Sequence, residues 1–145
     1  MKESRVLGID YGEKRVGLAI SDPSRIFAQT LSTLARTRDG DQAVVKLIKT
    51  VIQNQQITEI VIGWPLRLNG REGIQTQKVA RFIKHLNELA LPIHKWDERL
   101  STASADRVLS QGGVRGKARR QKVDQLAAVI ILQAWLDAQC SALKS

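Results

Sequence analysis

Three acidic residues stand where a carboxylate is costly to keep. Asp10 ends the apolar run VLGID, Glu98 ends Ile93 to Glu98 (IHKWDE), and Asp124 directly precedes the apolar stretch Leu126 to Leu132. A carboxylate at the end of a buried element loses hydration unless hydrogen bonds or a cation compensate. Drawn together, such groups repel, and the usual stabiliser is a hard divalent cation with oxygen ligands, Mg²⁺ or Mn²⁺. Two such ions about 3.5–4 Å apart would activate water and neutralise the oxygens of an in-line phosphoryl displacement. No histidine is needed, and only His85 and His94 exist. Taken singly, each carboxylate has a plainer reading: Asp124 as a helix-start residue, Glu98 as a partner of Arg99, Asp10 as a cap for the turn before Gly12. The joint placement of all three favours chemistry.

Cations gather around the same tracts. Gly12 and Gly17 permit a tight turn and close backbone approach, which puts Lys14 and Arg15 beside Asp10, either facing a phosphate or on a solvated hairpin tip. Six cations and no acid lie between Arg107 and Lys122. Arg115, Lys117, Arg119, Arg120 and Lys122 fall there in GGVRGKARRQK, a basic loop expected to stay mobile until a nucleic-acid strand binds. With Lys14, Arg15 and Arg99 they form the expected nucleic-acid contacts. Only six aromatics occur in the chain, so contact should be with phosphates and shape, with little base stacking. Trp64 either packs under a loop or stacks on a base. His94 and Trp96 read as packing residues, and His85 as surface.

The elements that must carry these residues follow from periodicity. Arg5 to Tyr11 and Arg15 to Ser21 read as antiparallel strands around Gly12-Glu13-Lys14, and Ile26 to Leu34 as a third strand of the meander. Val44, Leu47, Ile48, Val51 and Ile52 outline one face of a helix; Val79, Phe82, Ile83, Leu86 and Leu89 outline another. Between them, Glu59 to Gly63 (EIVIG) reads as a strand buried on both faces. Ile93 to Glu98 is strand-like, a short helix capped by Ser101 or Thr102 stops at Gly112-Gly113, and a final helix runs from Val123 to Ala142. Helical crossovers make the last two strands parallel to the first, within a mixed α/β sheet flanked by helices. The carboxyl ends of those strands, at Asp10, Gly63 and Glu98, share one edge, where ligand crevices form in open α/β sheets.

A chain of 145 residues, 43% hydrophobic and 26% charged, fits a single domain spanning 1–145. A net charge of +9 points to a polyanionic partner. The longest apolar run is seven residues, well short of a membrane span, and MKESRVLGID has no secretory core. A cytoplasmic location follows as the expectation. The lone Cys140 offers neither an internal disulfide nor a zinc site and reads as an inert helix residue.

Four blocks carry a resemblance: GIDYGEKRVGLAISD at Gly8 to Asp22, VIGWPLRLNG at Val61 to Gly70, DERLST at Asp97 to Thr102, and KVDQLAAVIIL at Lys122 to Leu132. They are similar to the signature blocks of the YqgF family, also called RuvX, which itself resembles the Holliday-junction resolvase RuvC. The resemblance implies an RNase H-like fold, with a five-stranded mixed sheet of three antiparallel strands and two parallel ones. It also implies a bacterial nuclease in the 5′-end processing of precursor 16S rRNA, with metal held by Asp10, Glu98 and Asp124, and possible work on ribosomal particles.

Two other readings stay open. Phosphate contacts do not separate RNA from DNA, so a nuclease resolving branched DNA is an alternative, and paired cleavage by a homodimer in place of a monomer would mark it. A non-catalytic ribosome or transcription factor would use the same basic surface. A third reading, an actin-like ATPase built on GIDYGEKRVG, requires a second lobe that 145 residues leave no room for.

Overall fold

Burial on both faces of the first two strands sets the architecture. The computed structural model describes residues 4–101 and 116–144. Strands β1 (Arg5–Tyr11), β2 (Arg15–Ser21) and β3 (Ala28–Ala35) form the meander. Helix α1 (Gly40–Gln55) then leads to β4 (Ile57–Trp64), and α2 (Ile74–Leu86) leads to β5 (Ile93–Asp97). A short 3₁₀ turn at Glu98–Ser101 follows β5, and the last helix, α3, spans Gly116–Lys144. The sheet order is β3-β2-β1-β4-β5, with β1 antiparallel to β2, β2 antiparallel to β3, and β1, β4 and β5 mutually parallel. This is the expected five-stranded mixed sheet.

Each face of the sheet buries its own cluster. Leu7, Ile9, Val16, Leu18, Ile20, Ile60 and Ile62 pack on Val44 and Ile48 of α1 and on Val79, Phe82 and Leu86 of α2. On the opposite face, Val6, Ala19 and Val61 meet Ala128, Ile131, Leu132, Trp135 and Leu136 of α3. That second face is built from small residues, so α3 lies close against the sheet. A Cβ on Gly8 would stand 2.7 Å from Leu132 Cβ and 3.1 Å from the Ala128 carbonyl oxygen. Both neighbours belong to the helix frame and cannot swing aside. Gly8→Val is therefore expected to lower stability by about 3 kcal/mol, read from urea unfolding, as overpacking of a tight core does. A loss below ~0.5 kcal/mol would show that α3 is free to shift.

Several boundaries differ from expectation, among them β4, which is longer at both ends than EIVIG. Strand β3 begins at Ala28, two residues late, because Asp22 Oδ1 accepts the amides of Ile26 (2.8 Å) and Phe27 (2.9 Å) and folds them into a turn. Helix α2, given no start by its apolar face alone, begins at Ile74, where buried Thr76 accepts the Gly73 amide at 3.0 Å and donates to the Pro65 carbonyl at 2.6 Å, and it ends at Leu86, short of Leu89. Strand β5 stops at Asp97, the last residue paired with β4, so Glu98 opens the 3₁₀ turn and is not on the strand. Finally, α3 starts at Gly116, not Val123, so Lys117, Arg119, Arg120 and Lys122 lie on its first two turns and not in a loop. The short helix expected after Ser101 lies outside the described residues. No helix among the described residues is long and apolar enough to cross a membrane.

Candidate active site and nucleic-acid interface

The carboxyl rim of β1, β4 and β5 gathers the chemistry. Asp10 is half-buried near the end of β1 and pairs across the sheet with Gly17, so the neighbour on its own face carries no side chain. The next strand carries Gly63 at that level, one residue before its end, and the carboxylate of Glu98 occupies the space that a Gly63 side chain would fill. A Cβ on Gly63 would clash with Glu98 Oε1 and lie 2.8 Å from Ile131 Cδ1. The 3₁₀ turn thus folds Glu98 back over β4 towards Asp10 and sends its neighbours outward.

Electrostatics record that convergence. Burial, then the charges of Asp10 and Asp97, push the Glu98 carboxyl up to about 7. Among the described residues no cationic side chain offsets this. Asp97 is in the opposite state. Arg99 donates to it from the backbone and the guanidinium, at 2.6–3.0 Å, and holds its carboxyl below the usual range. Asp97 is therefore a structural acid, whereas Glu98 is a buried carboxyl raised by its neighbour Asp10, and the two bring hard oxygen donors to one rim. That donor chemistry fits a divalent cation.

Asp124 is the ninth residue of α3, which rules out the helix-start reading. Along the helix it lies one turn before Ala128, the first residue of α3 in the cluster packed on the sheet. Its side chain lies outside the described residues. Ahead of it, about 12 Å of helix carries Lys117, Arg119, Arg120 and Lys122. Arg107 and Arg115 lie outside the described residues.

Lys14 and Arg15 are exposed on the β1–β2 hairpin. They line a cavity of about 370 Å³ together with Asp10, Gly12, Glu13 and Gly17. Arg99, expected at the nucleic acid, is exposed; its guanidinium donates to Asp97 and reaches the Leu68 carbonyl at 3.4 Å in the loop after β4. Trp64 packs on the core, with Lys95 Nζ 4.2 Å above its ring. His94 packs against Trp135 at 5.1 Å as expected, but it also bonds Glu59 at 2.7 Å, whose other oxygen takes Arg25 at 2.6 Å. Burial raises the Glu59 carboxyl, and the bonds from His94 and Arg25 more than reverse the effect. This cluster braces the far rim. Sequence reasoning missed Arg36, which folds over the hairpin from the end of β3. Only its place directly after the third strand hinted at that.

The family model described as "RuvX: Holliday junction resolvase" matches residues 4–138. The chain belongs to the RuvX family. A RuvX relative from Syntrophus aciditrophicus, named "Putative pre-16S rRNA nuclease", is 46% identical over 135 residues, covering 92% of this chain and 89% of the relative. A protein of the same name from Dictyoglomus thermophilum is 46% identical over 135 residues, covering 92% and 95%. Among solved structures, Thermus thermophilus RuvC in complex with a Holliday junction substrate matches this RuvX chain with a TM-score of 0.65 at 12% identity, covering 95% of this chain and 96% of that one. A second RuvC structure gives 0.58 at 12% identity, over 94% and 96%. At such identity the likeness shows the shared RNase H-like, RuvC-like fold.

Proposed function

We propose that this RuvX protein is a divalent-cation-dependent nuclease of the cytoplasm that hydrolyses phosphodiester bonds in structured RNA during 5′-end processing of precursor 16S rRNA. The observation that carries the reading is the Asp10–Glu98 pair: the Glu98 carboxylate folds over Gly63, and burial together with the charge of Asp10 raises its carboxyl. The names of the RuvX relatives supply the substrate.

Asp10, Glu98 and Asp124 would hold Mg²⁺ or Mn²⁺. Such an ion lowers the pKa of an attacking water and neutralises charge on the phosphoryl oxygens. Lys14 and Arg15 hold the phosphodiester against Asp10, in the cavity they share. The first turns of α3 follow the neighbouring phosphates, which fixes position without reading sequence. Burial of Glu98 keeps bulk water from the reacting side of the pair.

Resolution of branched DNA is the second reading, and the description of the matching family favours it. Purified full-length protein, offered a 5′-extended 16S rRNA fragment and a matched four-way DNA junction with and without Mn²⁺, separates the two. Mn²⁺-dependent cleavage of the RNA alone is expected. Paired cuts in the junction by a homodimer, with the RNA intact, would replace the reading. Salt-sensitive binding with no cleavage at any metal concentration, even with ribosomal particles added, would leave a binding module.

A further inference from the structure

The backbone of the β1–β2 hairpin has an orientation that its sequence does not announce. The Gly12 and Glu13 carbonyls both accept the Arg36 guanidinium, at 3.0 and 2.9 Å, and the Lys14 carbonyl accepts the Arg36 amide at 2.9 Å. One residue thus pins three successive carbonyls. Arg36 is itself fixed, because its guanidinium lies 4.5 Å from the centre of the Tyr11 ring and Tyr11 donates to Asp41 at 2.6 Å. The peptide bonds of this hairpin are trans, and in a trans unit the N–H points opposite to the C=O. The amides of Glu13 and Lys14 must therefore point away from Arg36, and neither meets a hydrogen-bond acceptor among the described residues. Arg36 does not line the cavity; Asp10 and residues 12 to 15 do.

We propose that the Glu13 and Lys14 amides form a backbone cradle for a phosphate oxygen of the nucleic acid, reinforced by Lys14 and Arg15, and that Arg36 is the positioning residue that aims it. Successive N–H groups facing one way make an anion-binding concavity. Gly12 is part of the device: its amide donates to the Arg15 carbonyl at 2.9 Å, and a Cβ there would come within 2.8 Å of that oxygen. The side chains of Glu13 and Asp10 line the same cavity and oppose an anion, so the cradle selects a phosphate already partnered elsewhere and does not scavenge free anions tightly. This assignment rests on the nuclease reading for its ligand, and its test does not require cleavage.

Amide shifts of the full chain, followed by NMR without divalent ions, give the readout, with inorganic phosphate in one arm and a short single-stranded RNA in the other. Saturable shifts at Glu13 and Lys14 are expected in both arms, with tighter binding to the RNA. Arg36→Gln should weaken that response about tenfold although Lys14 and Arg15 remain, with Arg36→Lys in between. Asp10→Asn should preserve it or tighten it. In RNA cleavage, Arg36→Gln should raise KM about tenfold with kcat changed less than threefold. Absence of the wild-type shifts in both arms overturns the cradle, even if Arg36→Gln fails to fold. Equal shifts in Arg36→Gln overturn the role of Arg36. Normal shifts in a protein that cuts nothing would sink the nuclease reading and leave the cradle standing.

Discussion

Asp10→Asn is expected to reduce RNA cleavage by at least about a thousandfold, ~4 kcal/mol of transition-state stabilisation, while RNA binding survives. Asn is isosteric with Asp, so the register with Gly17 and the small-residue face beneath α3 should persist. What is lost is one of the two charged oxygen donors that meet at the rim. Removing a negative charge beside Lys14 and Arg15 should even tighten metal-free RNA binding at low salt. Gel shift and single-turnover cleavage on the same preparation check both halves. Wild-type cleavage by this variant would mean that the rim is not where the bond breaks.

Much of this site was legible because the early strands obey simple rules. Arg5–Tyr11 and Arg15–Ser21 have the bounds expected from two apolar runs around a Gly-Glu-Lys turn. The parallel placement of EIVIG followed from the helices on either side, and with it the prediction that Asp10, Gly63 and Glu98 share an edge. What could not be read depends on tertiary partners. The strand-like run Ile93 to Glu98 puts Glu98 on β5, but the ladder with β4 ends at the Trp64–Asp97 pair, and beyond it the backbone is free to tighten into a 3₁₀ turn. The start of α3 was missed for another reason: clustered charge was read as loop. Yet Lys117, Ala118, Arg119, Arg120, Gln121 and Lys122 are all good helix formers, and that propensity was the available signal.

The empty side of Gly63 and the reach of Arg36 were beyond any local pattern. A glycine at a strand end is ordinary, and only the path of the following turn shows that a carboxylate needs its space. An arginine just after a strand is equally ordinary until its guanidinium is seen on two carbonyls of another hairpin. Both are long-range consequences of sheet order. They concern positioning, whereas the carboxylates stand in the sequence itself.

Glu98→Gln should separate stability from activity more sharply than any other change. In the folded protein the Glu98 carboxyl is raised from an ordinary 4.5 to about 7, by burial first and then by Asp10 and Asp97. The folded state therefore holds this proton more tightly than the unfolded chain. Below about pH 4.5 the group is neutral in both states and carries no penalty. As pH rises towards 7 the unfolded chain ionises freely, the folded one resists, and stability falls. Above that, the cost is on the order of 3 kcal/mol. Gln removes the charge and keeps the shape, so at pH 8 without divalent ions Glu98→Gln should melt roughly 8 °C above wild type, with the gap closing by pH 4.5. Added Mg²⁺ should stabilise wild type and leave the variant unmoved, because only wild type offers the paired carboxylates. Cleavage by the variant should fall about a thousandfold, as an amide is a far poorer ligand for a hard cation than a carboxylate. Equal melting temperatures across this pH range would show that the two carboxylates do not strain one another, and would remove the physical reason for placing a cation between them.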